Sequence, residues 1–100
     1  MGNKQSGGCD SKREHRRYNH LLLLEKIGEI RNLKTQVVYE LTPKVGKERA
    51  STYRADFTYE EKSGEDWIPV TEDSKGFRTI HYILKRKFLR YRYGIEIRET

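Results

Sequence analysis

The sequence predicts an α+β domain in which two helices flank a mixed sheet, in the order αβββαβ. Three observations lead there. Apolar residues recur at helical spacing in two stretches, one near each end of the chain. Between those stretches lie segments rich in β-branched and aromatic residues, broken by turn residues. A chain of 100 residues has room for one modest core, so helices that separate strands must cover the faces of a single sheet.

Residues 1–10 hold three glycines and no periodic apolar residue, which predicts a flexible arm, with the domain over 11–100. In the first helix, Tyr18, Leu21, Leu22 and Ile27 form the apolar stripe, while Lys12, Arg13, Arg16, Arg17 and Lys26 lie elsewhere on the cylinder. Ser11 followed by Glu14 reads as a capping box, and Gly28 as the residue just past the end. Leu33 to Leu41 has strand composition and stops before Pro43. Thr52 to Glu60 alternates, with Tyr53, Ala55, Phe57 and Tyr59 expected on one face and Arg54, Asp56 and Thr58 on the other. After a turn at Lys62 to Glu65, Trp67 to Ser74 completes a hairpin in which Pro69 marks an edge or bulge. The second helix runs from Thr79 to Tyr91, with Ile80, Ile83, Leu84, Phe88 and Tyr91 as its apolar positions. Gly94 ends it, and Ile95 to Arg98 alternates as a short last strand.

Charge narrows the function. Lys and Arg number 21 against 15 Asp and Glu, a net +6, which suits a polyanionic partner. The lone Cys9 leaves no disulfide framework or cysteine zinc cluster, so a reducing, cytoplasmic setting fits. The longest apolar run, Leu21 to Leu24, is far short of the roughly 20 residues a membrane span needs. Met1, Gly2 and Ser6 meet only a loose myristoylation pattern. His15, His20 and His81 stand at no metal-ligand spacing, and there is no phosphate-binding glycine loop.

The hairpin brings acids together. A turn centred between Ser63 and Gly64 would set Asp56 opposite Thr71, with Asp73 and Lys75 further along the same face. Glu72 would point the other way with Val70 and Ile68, and parity makes it a non-ligand. Two carboxylates beside a lysine suit Mg²⁺, which takes one or two carboxylates along with water and phosphate oxygens. Such an ion lowers the pKa of a bound water for in-line attack on a phosphodiester, and Lys75 would position the hydroxide or stabilise developing charge. Glu14, in the first helical turn, could add a third carboxylate, although capping alone also explains it. Asp56 has a plainer alternative as a surface ion pair, and Asp73 and Lys75 as a solvated strand end. Gln36 could reach the site, but a polar residue on a half-exposed strand needs no site to explain it. From Ser74 to Ile95 the chain carries Lys75, Arg78, Lys85, Arg86, Lys87, Arg90 and Arg92 and no acid. That run is a solvated face or a phosphate-binding one. Tyr82, Tyr91 and Tyr93 interleave with it and suit base stacking or core packing equally.

At these residues the chain resembles the PD-(D/E)XK nuclease superfamily, and more closely a family of small phage proteins of uncharacterised function with that fold. The likeness runs through Ser11 to Tyr18 (SKREHRRY), Gly28 to Leu41, Tyr53 to Tyr59 (YRADFTY), Glu72 to Gly76 (EDSKG) and Tyr93 to Ile97 (YGIEI). It implies a minimal restriction-endonuclease-like core in which Asp56 takes the first acidic position and Asp73-Ser74-Lys75 the tripeptide. It further implies that Glu14 matches the helix-one acid and that the Ser74 backbone carbonyl is a metal ligand. Ala55 stands where the motif name has proline. Holliday-junction resolvases share this minimal core.

The expectation is therefore a Mg²⁺-dependent endodeoxyribonuclease, with Mn²⁺ able to substitute, acting on branched or structured DNA. Glu14, Asp56, Asp73 and Lys75 would be catalytic, with Glu14, Asp56, Asp73 and the Ser74 carbonyl on the metal. Lys12, Arg13, Arg16, Arg17, Arg78, Lys85, Arg86 and Arg90 would contact DNA. Cutting both strands suggests a homodimer. The alternative is a catalytically silent nucleic-acid-binding module that keeps the fold.

Overall fold

The computed structural model describes residues 12–74 and 79–100, so the expected arm, Ser11, Lys75 and Arg78 lie outside the described residues. Elements follow in the order α1 (Lys12–Lys26), β1 (Ile30–Thr42), β2 (Ser51–Ser63), β3 (Asp66–Asp73), α2 (Ile80–Tyr93) and β4 (Ile97–Glu99). The sheet order is β1-β2-β3-β4, antiparallel across the first three strands and parallel between β3 and β4. This is the predicted α+β arrangement with a mixed sheet.

Local chemistry sets the helix ends. At the end of α1, the Gly28 N–H bonds the Glu25 carbonyl at 3.2 Å and the Glu29 N–H bonds the Leu24 carbonyl at 2.9 Å. This double closure needs a left-handed residue, supplied by Gly28 at φ +86. In α2, the Thr79 side chain accepts the Tyr82 N–H at 3.1 Å and Gly94 closes the last turn onto Arg90.

The β2–β3 hairpin turns one residue later than expected, through Gly64 and Glu65, with Gly64 at φ +64. Moving the turn by one residue moves every cross-strand pair by two, so Thr71 stands opposite Thr58 instead of Asp56, and Glu72 opposite Phe57. An even shift leaves parity intact. Glu72 does point with Val70, away from Thr71 and Asp73. No register shift occurs at Pro69, and β4 pairs only with Thr71 to Asp73, so that half of β3 is an edge among the described residues.

Alternation along β3 shows where the helices lie. Val70 packs with Leu21 of α1, and Glu72 bonds Arg17 of α1. Thr71 bonds Tyr39 and Asp73 bonds Tyr53, both packed with the α2 cluster. Neighbouring strand residues face opposite ways, so α1 and α2 cover opposite faces of the sheet. Two cores result, one of Leu21, Ile30, Phe57, Tyr59 and Val70, the other of Leu41, Tyr53, Ala55, Tyr82 and Leu89.

This corrects the reading of β2 as a strand with one buried face. Tyr53, Ala55, Phe57 and Tyr59 are all buried, but the first two belong to the α2 core and the last two to the α1 core. The pleat therefore reverses at Asp56. Across from it on β1, between the pairs Val37–Ala55 and Thr35–Phe57, Gln36 sits at φ +54.

Each helix buries only part of its expected stripe. In α1, Leu21 is fully buried and Tyr18 and Leu24 pack beside it, while Leu22 and Ile27 are exposed. Burying one leucine contributes about 1.5–3 kcal/mol, and Leu21 anchors this helix. In α2 the buried residues are Tyr82 and Leu89, Ile83 packs beside them as expected, and Ile80, Leu84, Phe88 and Tyr91 face outward. Polar bonds set that phase. Tyr82 Oη and Arg86 both donate to Glu99 of β4, and Tyr93 Oη donates to the Glu40 carbonyl.

Candidate metal and nucleic-acid site

Asp56, half-buried at the reversal, accepts the Ser74 N–H on Oδ2 at 2.8 Å. That bond ties the end of β3, where the Asp73-Ser74-Lys75 tripeptide begins, to the middle of β2. On β1, Gln36 Nε2 donates to Glu14 Oε2 at 3.0 Å. One bond thus links α1 to β1 and the other links β2 to the end of β3.

A cleft of about 330 Å³ opens beside this line, bounded by Glu14, His15, Tyr18, Thr35, Gln36 and Phe57. The Tyr18 and Phe57 rings lie parallel in it, with centroids 6.1 Å apart. On the other flank of α1, Arg13, Arg16, Arg17 and His20 border Ser74 and Thr100 around a shallower hollow. Helix α1 is a ridge with a carboxylate on one side and a guanidinium row on the other. The guanidinium side borders Ser74 at the end of β3.

The Ser74 bond sets Asp56 beside the strand end that carries Asp73. Asp73 is fully buried and accepts the Tyr53 hydroxyl, turned toward the α2 core. Among the described residues, no group of three His, Cys, Asp or Glu side chains is placed to hold a metal ion. Lys75 lies outside the described residues. Carboxylate and carbonyl oxygens at Asp56, Asp73 and Ser74 are nevertheless the hard donors that a divalent cation of the magnesium type takes.

Two residues expected on DNA are committed elsewhere. Arg17 makes a two-pronged pair with the fully buried Glu72, at 2.5 and 2.9 Å. Its guanidinium pKa is raised, chiefly by the bond to Glu72. Arg86 pairs with Glu99 at 3.0 Å. The Arg17 fork on a buried carboxylate holds α1 to the sheet, whereas Arg86 makes one bond to the partly exposed Glu99. Lys12, Arg13, Arg16, Lys85 and Arg90 remain exposed, and Arg78 lies outside the described residues.

The sequence reading missed the roles of Glu72 and Tyr53. Glu72 shares the apolar face of Val70, and a carboxylate there demands a buried cation. That signal stood in the parity and called for an arginine on the covering helix. Nothing in the local sequence pointed to Tyr53 as the partner of Asp73, because the contact crosses from one strand to another.

A family described as Protein of unknown function (DUF1064) matches residues 5–100. No curated protein and no solved structure matches the chain. No helix among the described residues is long and apolar enough to cross a membrane.

Proposed function

We propose, for a chain that belongs to this family of unknown function, that it is a divalent-metal-dependent DNA endonuclease acting on branched or structured DNA. The observation that carries the reading is the bond from the Ser74 N–H to the Asp56 carboxylate. It holds the tripeptide strand end against the acid in mid-β2, the juxtaposition that a carboxylate metal site needs. Asp56, Asp73 and the Ser74 carbonyl would hold Mg²⁺ or Mn²⁺, with Glu14 oriented by Gln36 from the α1 side. The bound ion would supply a water of lowered pKa and polarise the phosphate. Lys75 follows in the chain and would position the attacking oxygen or stabilise the developing charge.

Lys12, Arg13 and Arg16 on α1 supply the sequence-independent grip on phosphates. With so little surface for reading base edges, recognition of DNA shape is the economical mode. Two copies would bring two sites to two strands.

The alternative, a binding module without catalysis, is favoured by the buried bond between Tyr53 and Asp73. One assay separates the two. Four-way junction, flap and duplex DNA are incubated with the protein and Mg²⁺ or Mn²⁺, alongside Asp56→Asn and Asp73→Ala. The nuclease reading expects metal-dependent cleavage that falls by about 10²-fold or more in each variant while DNA binding persists. Binding without cleavage selects the module, and cleavage that survives both substitutions overturns the nuclease site.

A further inference from the structure

The outward face of α2 carries an apolar stripe that the fold leaves uncovered. Ile80, Leu84, Phe88 and Tyr91 are 64%, 50%, 47% and 88% exposed. At about 100° per residue they centre opposite the side from which Tyr82, Arg86, Leu89 and Tyr93 reach the sheet. The helix is therefore apolar on two sides, and one core explains only one of them.

The shape of the stripe is specific. A hollow of about 220 Å³ is bounded by Leu84, Lys87, Phe88 and Tyr91, positions i, i+3, i+4 and i+7. Four residues at that spacing form the socket that receives one side chain of a facing helix. Charge identifies the kind of helix. Between Ile80 and Tyr93 there are five bases and no acid. Arg86 and Arg92 are paired with Glu99 and Glu40, while Lys85, Lys87 and Arg90 flank the stripe, Arg90 only loosely near Glu96 at 4.0 Å. A second copy docked here would bring these bases against their own kind, at a cost in like-charge contacts. Nucleic acid would meet the bases but leave four large apolar side chains without an apolar partner. A bilayer would satisfy both, yet has no use for a socket between helical turns.

We infer that this face docks an amphipathic helix of a protein partner whose apolar stripe is flanked by carboxylates, in the helix-in-groove mode. None of the four stripe residues belongs to the candidate site, so the inference stands whether or not the nuclease reading does.

The test uses the full chain and two synthetic helical peptides with leucine at the a and d positions, one flanked by glutamate and the other by lysine. Fluorescence anisotropy reads affinity, sedimentation reads self-association, and phosphatidylglycerol vesicles test lipid. The glutamate peptide is expected to bind at least about tenfold tighter than the lysine peptide, and to lose about tenfold or more with Leu84→Glu or Phe88→Ser. Unchanged circular dichroism in these surface variants separates lost docking from lost folding, and a Leu22→Glu control on α1 should bind normally. Equal affinity for the two peptides, no binding of either, or loss in the control overturns the inference. So does a dimer abolished by Leu84→Glu, which assigns the face to a second copy, or vesicle binding without peptide binding, which assigns it to lipid.

Discussion

Glu72 is a carboxylate with no exposed surface, and four hydrogen bonds from three residues account for that burial. Arg17 donates twice from α1, Tyr59 Oη donates at 2.5 Å, and Thr100 Oγ1 donates at 3.3 Å from beyond β4. The cluster fastens α1 to the centre of the sheet and to the end of the described chain. Removing one partner of such a pair strands a buried charge, so Arg17→Met should cost about 3–5 kcal/mol in chemical denaturation, whereas Arg17→Met with Glu72→Leu should recover most of it. Tyr59 adds a pH signature. Burial, and next the Glu72 carboxylate, raise its hydroxyl from an ordinary 10.0 to about 12. Because the folded pKa lies above the unfolded one, this contribution is complete below pH 10 and is lost as pH rises toward 12. Stability curves from pH 9 to 12 should show that loss in the wild type and lack it in Tyr59→Phe. A titration midpoint near 10 for Tyr59 by ultraviolet absorbance would contradict the burial argument.

Strand pairing and strand pleat are separate properties in β1 and β2. The cross-strand pairs continue through Val37–Ala55 and Thr35–Phe57, yet the side chains change face between them. The backbone records the change at Gln36, whose φ of +54 is left-handed. A non-glycine residue there carries roughly 1 kcal/mol of strain and a β-branched one more. Gln36→Gly should therefore keep or raise the melting temperature despite losing the bond to Glu14, and Gln36→Val should lower stability by about 1–3 kcal/mol. If valine proves as stable as glycine, the reversal is not seated at Gln36. The same reversal explains why alternation in β2 was legible and its meaning was not. Tyr53, Ala55, Phe57 and Tyr59 announce burial, which depends on being apolar, but which core each joins depends on a twist in a neighbouring strand.

At the scale of the molecule, the net +6 is distributed by the ion pairs. Arg17, Arg31, Arg86 and Arg98 are closely paired with glutamates, so the cations left for a polyanion are fewer than the count suggests. Arg16 stands on the exposed side of α1, beside Ser74 at the end of β3. If DNA lies along that ridge, Arg16→Ala should reduce the slope of log K against log[salt] by about 0.9 on duplex DNA, while Arg86→Ala should leave it unchanged. An equal reduction from both would mean that the Glu99 pair opens on binding.

Element types and ends were readable from the sequence because they depend on near neighbours. Gly28 closes a helix through atoms one turn away, Thr79 caps one through Tyr82 three residues on, and the αβββαβ order follows from periodicity alone. Hairpin parity was equally local, and it separated Glu72 from Asp73 even though the turn began a residue late. Tertiary structure decided the phase of each helix, the split into two cores, the withdrawal of Arg17 and Arg86 into ion pairs, and the turning of Asp73 onto Tyr53. Each of those depends on a group distant in the chain that competes for the same side chain, and a buried charge goes to whichever partner the packing brings within reach.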